Sequence, residues 1–262
     1  MRKLSVTHIF LGLSLLACLA CSTSDDSNPD DNNPNGPVTG NPNLNKGAVG
    51  ESANDLLSAN NYTSLYVEIQ YAAGYAPPNG SISYLQSFLE NHLNKPGGIQ
   101  IETKEVSGEG KASYSTSDLR NFEDDNRTKF TKDNQLAVYF YFADGNYTSE
   151  NVLGIAHRNT SMVLFQKRIE ELSGGIGQAS TQLLTSSVMA HEMGHIMGLV
   201  NVGTDMQTPH QDEANGKHCN VDECLMYYAV ESAAGISDLL GMSQPPAFDD
   251  LCLADLRANG GK

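Results

Sequence analysis

Apolar and polar positions alternate from Tyr62 to Tyr71, with Leu65, Val67, Ile69 and Tyr71 on one face and Tyr66, Glu68 and Gln70 on the other. A period of two predicts a β-strand. After the turn Pro77-Pro78-Asn79-Gly80 the period changes: Ile82, Leu85, Phe88, Leu89 and Leu93 recur at helical spacing, with Ser81 as the expected cap and Gln86, Glu90 and Asn91 left to solvent. Asn94-Lys95-Pro96-Gly97-Gly98 stops that helix, and Ile99 to Val106 reads as a second strand. Strand, helix and strand in succession imply a right-handed crossover and parallel pairing.

The polar stretch from Ser107 to Thr116 reads as a loop, and Asp118 to Asn126 as a short helix capped by Ser117 that buries Leu119 and Phe122. Leu136 to Ala143 is apolar on both faces, as a central strand must be. Two short strands follow at Val152 to His157 and Met162 to Phe165, with His157 read as exposed. Thr181, Leu183, Leu184, Val188, Met189 and Met193 then predict a helix from Ser180 to Met197, closed by Gly198, and Phe248 to Leu256 suits a last helix.

Ahead of this pattern the composition is different. Met1-Arg2-Lys3 and the apolar run Ile9 to Ala20 make an export signal, too short to remain as a membrane span. Leu15-Leu16-Ala17-Cys18 resembles a bacterial lipobox, yet the polar run Ser22 to Asp26 favours Cys21 as the lipidated residue, with Cys18 the alternative. The expected organisation is a lipoprotein signal over 1–21, a disordered tether over 22–55, poor in apolar residues that could offset ordering entropy, and one domain over 56–262. That organisation addresses the chain to the outer membrane or cell surface, outside the cytoplasm, as a monomer whose lipid anchor is its link to the bilayer. The net charge of −15 disfavours nucleic acid and anionic surfaces as partners.

The chemistry is concentrated in the long helix, where His191-Glu192-Met193-Gly194-His195 sets two imidazoles one turn apart on one face with a glutamate beside the first. Two histidines and a glutamate in an apolar helix are costly unless something binds them. Zinc is that partner: it takes neutral nitrogen ligands plus a third protein group, and Glu192 accepts the proton of the water that the ion acidifies. Cys219, Cys224 and Cys252 remain beyond the leader. An extracytoplasmic setting permits a disulfide, expected between Cys219 and Cys224, with either pairing to Cys252 as the alternative.

His191, Glu192, His195 and Gly198 resemble the metzincin motif H-E-x-x-H-x-x-G-x-x-H, but Asn201 stands in the slot of the third histidine. His218-Cys219 through Cys224-Leu225-Met226 resembles the archaemetzincin pattern H-C-x4-C-x-M. This resemblance implies His218 as the third zinc ligand and Met226 as the Met-turn, with His210 and Asn201 as alternatives for the ligand. It implies Tyr228 as a partner of the oxyanion, and Gly154, Ile155 and Ala156 as an antiparallel edge strand whose backbone binds an extended peptide. The implied fold is α+β: a metzincin-like, two-lobed zincin with a five-stranded mixed twisted sheet, an active-site helix and a small irregular C-terminal lobe. The implied activity is zinc-dependent endopeptidase action on a protein or peptide. The alternative is an idle site on a module that binds peptide or surface glycan. In archaemetzincins the corresponding cysteines hold a second zinc with a later C-x-x-C pair. Only Cys252 follows here, so one catalytic ion is expected and no second.

Overall fold

A computed structural model describes residues 36–262. The proposed leader, Cys18, Cys21 and the tether up to residue 35 lie outside the described residues. The main sheet has five strands, β1 (Ser64–Ala72), β2 (Ile99–Val106), β4 (Gln135–Phe142), β6 (Gly154–Arg158) and β7 (Ser161–Leu164), in the order β2-β1-β4-β7-β6. All neighbours are parallel except β6, which runs antiparallel to β7 at the edge. A second ribbon pairs β3 (Ser113–Tyr114) with β5 (Asn146–Tyr147).

Strand alternation divides the core between the two faces. Leu65, Val67 and Ile69 of β1 and Leu136, Val138 and Phe140 of β4 pack against α2 (Asn79–His92) and α5 (Thr181–Ile196). On the other face Tyr139 and Tyr141 meet Leu119 and Phe122 of α3 (Thr116–Asn126), the rings of Phe122 and Tyr141 stacking at 3.9 Å. From Leu183 to Ile196 every residue of α5 is buried, so this helix runs through the interior and no face of it meets solvent. Ser180 caps it through the amide of Leu183, as its position in the sequence indicates.

Two expected caps are displaced. The helix α3 is capped by Ser115, not Ser117, because Ser115 and Asp118 close a reciprocal capping box. The helix α2 starts at Asn79 behind Pro78, and Ser81, one turn in, donates its hydroxyl to the carbonyl of Gln182 and accepts from Ser186. The short helices α1 (Ala53–Leu57) and α4 (Gln166–Glu171) have too little length for a periodic signal.

The larger correction concerns residues 36–55, expected to belong to the tether. Thr39 exchanges backbone hydrogen bonds with Thr128 and Phe130, and Asn41 caps a turn at Pro42–Asn45. Asn45 is fully buried, its amide nitrogen 2.9–3.0 Å from Thr131 Oγ1, Ala137 O and Thr160 Oγ1, while its oxygen accepts from the Thr131 amide. Polar composition suggests disorder, but one asparagine that completes buried backbone groups can order its segment.

After α5 the chain makes few regular elements until α6 (Asp250–Ala258), which returns Cys252 and Leu256 to the core. Gly198 turns the chain out of α5 at φ +77°, where a Cβ would meet the Thr204 amide at 2.7 Å and the Ala53 Cβ at 2.8 Å. Glycine is required there by both conformation and space.

Candidate metal centre

His191 and His195 project from the last two turns of α5. His218 reaches them from a loop whose backbone is stitched on both sides: Asp212 N donates to His218 O and Cys219 N to Met226 O, both at 2.8 Å. The three rings form a nearly equilateral triangle, with centroids 4.8 Å, 5.2 Å and 5.1 Å apart. The segment from Val200 to Lys217 thus leads to a third imidazole beside the two of α5. Asn201 lies exposed at φ +65°, and His210 is fully buried elsewhere.

The protons on the rings are placed by backbone carbonyls. His191 Nδ1 lies 2.7 Å from Leu225 O, and His218 Nδ1 lies 3.0 Å from Asn215 O. A carbonyl only accepts, so each Nδ1 carries a hydrogen, and in the neutral ring Nε2 keeps its lone pair for a ligand. Both of these Nε2 atoms are buried without a hydrogen-bond partner, as are both carboxylate oxygens of Glu192. Burial, followed by neighbouring His195, lowers the His191 pKa to about 3, which keeps the ring neutral as a ligand must be. These residues fit a zinc ion: convergent neutral nitrogens that would otherwise be orphaned, with a carboxylate beside them.

Met226 packs its sulfur against the backbone of Gly194, so tightly that a Cβ on that residue has no room. On the other side β6 crosses α5 so closely that a Cβ on Gly154 would come within 2.6 Å of Glu192 Oε1 and Val188 Cγ1. Gly154, Ile155 and Ala156 therefore form the expected antiparallel edge beside the carboxylate. Burial first, and then the Glu231 carboxylate, push the Glu192 pKa well above the usual range. The cleft between them has a volume of about 200 Å³ and is lined by Ile155, Ala156, Glu192, His195, His218 and Glu231, with Val49, Val202 and Lys217 at its sides.

Two expectations meet different geometry. His157, read as exposed, is 2% exposed and faces Glu123 at 3.8 Å, because a register shift between Ala156 and Arg158 turns it inward. Tyr228 packs its ring T-shaped on Tyr227 at 4.7 Å, while the side chain that reaches the imidazoles is Glu231, three residues on. Sequence reasoning missed Glu231; its only signal was a charge within the mostly apolar run 229–240.

The cysteines differ from expectation as well. Cys219, Cys224 and Cys252 are free and buried, so the Cys219–Cys224 disulfide is absent. Instead they gather around His210, with Cys219 Sγ 3.2 Å and Cys252 Sγ 3.9 Å from His210 Nδ1, and Cys224 Sγ 3.6 Å from Cys252 Sγ. Asp255 Oδ2 takes the other ring nitrogen at 2.8 Å, and Nδ1 is hydrogen-bonded to the Cys219 sulfur. The adjacent thiols Cys219 and Cys252 pull the Cys224 pKa down. His210, Cys219, Asp249 and Cys252 bring ligand atoms within 4.8 Å of one another, a second group whose donors suit a metal ion although a fourth cysteine is missing.

No family model matches this chain, and no curated protein matches it. Among solved structures, archaemetzincin from Methanopyrus kandleri is similar with a TM-score of 0.50 and 14% identity, covering 75% of this chain and 96% of that one. Metalloproteinase-II from Bacteroides fragilis is similar with a TM-score of 0.39 and 15% identity, covering 78% of this chain and 53% of that one, a likeness too low to carry weight. The fold is archaemetzincin-like, built on a mixed five-stranded sheet.

Proposed function

We propose that this chain is a zinc-dependent endopeptidase. The observation that carries the reading is the convergence of His191, His195 and His218 on one point, with the bare Nε2 atoms of His191 and His218 buried there and Glu192 beside them. When bound, zinc acidifies water and polarises a scissile carbonyl. Glu192, shielded from solvent, accepts the proton of the attacking water and returns it to the leaving amine. Met226 supports the imidazoles through Gly194. The backbone of Gly154, Ile155 and Ala156, on the open side of the sheet's last strand, aligns an extended peptide by β-augmentation. Tyr228 is assigned the oxyanion on its position after Met226, and an unchanged kcat in Tyr228→Phe would remove that role.

The donor set of His210, Cys219, Asp249 and Cys252 fits a second, structural zinc that would hold His218 and Met226 in register, since Cys219 lies between them in the chain. We also propose export and lipid attachment at Cys21, so that the enzyme works outside the cytoplasm; palmitate labelling that survives Cys21→Ser would contradict it.

The activity is tested with a mixed peptide library, with and without chelator, on wild type and Glu192→Gln. The expected result is cleavage by the wild type alone, abolished by chelator, while the variant keeps its zinc. Turnover by Glu192→Gln within a few-fold of wild type would refute the assignment.

A further inference from the structure

Glu231 stands where nothing in the catalytic scheme requires a carboxylate. Its Oε1 is 3.3 Å from His218 Nε2, and its Oε2 is 3.6 Å from His191 Nε2 and 3.7 Å from His195 Nε2. These contacts are not hydrogen bonds: His191 Nε2 and His218 Nε2 have no hydrogen-bond partner despite the distances. With Nδ1–H of both rings committed to Leu225 O and Asn215 O, each Nε2 of a neutral ring is an acceptor facing another acceptor. Lone pairs held at that range repel unless a cation lies between them.

The spacing identifies the cation's geometry. Donor atoms about 2.0 to 2.2 Å from one tetrahedral zinc are separated from one another by about 3.3 to 3.6 Å. The three carboxylate distances fall at or just beyond that edge length, and the four donors all lie within 4.8 Å of one another.

The backbone of Glu231 is held in place to do this. Leu153 N donates to Glu231 O at 2.9 Å, Ala233 N donates to Asn151 O at 2.8 Å, and Val152 bridges Ser232 in antiparallel fashion. The segment 231–233, between two 3-10 turns, is therefore clasped by an isolated antiparallel bridge to the chain that leads into β6, next to the edge proposed to take peptide.

We propose that Glu231 is the fourth protein ligand of the ion held by His191, His195 and His218, closing in the resting chain the position that water must occupy for hydrolysis. The inference rests on the zinc reading above and adds self-imposed latency to it. A substrate settling along β6 would have to displace the carboxylate, either directly or by loosening the clasp between 151–153 and 231–233.

Cobalt(II) loaded into the full chain reports coordination by its visible spectrum without any turnover. Glu231→Ala is compared with Glu231→Gln, which preserves side-chain shape and the backbone clasp. The expected wild-type spectrum is four-coordinate and indifferent to added acetate. Both variants should show a changed spectrum, acetate should restore the wild-type bands in Glu231→Ala, and zinc affinity measured by chelator competition should fall at least about tenfold, the loss that even an outer partner of a ligand causes. Wild type and variants with the same spectrum, acetate response and affinity would overturn the Glu231 assignment alone. Failure of the wild type to bind cobalt or zinc would overturn the zinc reading and this inference together.

Discussion

The sulfur of Met226 rests on the backbone of Gly194, the residue before His195, and leaves no space for a Cβ there. A floor of this kind joins the lobe that brings His218 to the helix that carries the other two imidazoles. Residues 219 and 226 are themselves joined by the hydrogen bond from Cys219 N to Met226 O, so the floor and the third imidazole move as one piece.

Gly194→Ala should therefore destabilise the protein although it improves helix propensity. The gain is about 1 kcal/mol at most, whereas overpacking costs about 1 to 3 kcal/mol, and the added methyl would also come within 3.2 Å of Phe248 Cε1. Urea denaturation should show a net loss near the low end of that range, because Met226 is flexible. Adding Met226→Ala to the variant should recover part of it, and an additive double-mutant cycle would show that the two residues do not interact.

Asn45→Ala should cost about 1 to 3 kcal/mol, since Thr131 N, Ala137 O and Thr160 Oγ1 are left buried with a lost partner. Thermal unfolding checks it. A melting temperature equal to wild type would return the segment around Asn45 to the status of a dispensable tether.

His157 predicts a pH dependence. Burial is the main cause that lowers its pKa from 6.5 to about 4 in the folded chain. Between those values the unfolded chain binds a proton that the folded chain refuses, so stability is full above pH 6.5, falls as pH drops toward 4, and changes no further from this group below that. The total is about 3 kcal/mol at most. Urea unfolding at intervals across this window should give a flatter stability profile for His157→Gln than for wild type; parallel profiles would show that His157 is not the group responsible.

His210→Ala should remove one of two zinc ions per chain. Native mass spectrometry of reduced, zinc-loaded protein is expected to show two ions in the wild type and one in the variant, with Cys219, Cys224 and Cys252 becoming open to alkylation. Two ions in the variant, or one in the wild type, would leave the sulfur cluster without a metal role.

Much of the fold is legible in local pattern. The period of two in β1, the apolar run of β4, the helical spacing of α2 and α5 and the Ser180 cap follow from forces between residues near one another in the chain, as does the pairing of His191 with His195 across one helical turn. The antiparallel edge strand and the place of His218 beside the other two imidazoles needed the resemblance to a known motif as well, because no periodicity marks a side chain that arrives from a loop.

What only the tertiary structure decided are the relationships between residues far apart in sequence. Asn45 is polar and looks like tether until its amide meets Thr131 and Thr160 in a buried pocket. His157 looks exposed until a register shift in β6 turns it inward. Cys219, Cys224 and Cys252 suggest a disulfide until His210 completes their group from another loop. Glu231 carries no signature at all, because its meaning lies in three distances to imidazoles on two other segments. Local propensity is additive along a chain and can be read from it; the cost of burying a polar atom, and whether another group offsets that cost, depends on what the fold places within about 3 Å of it.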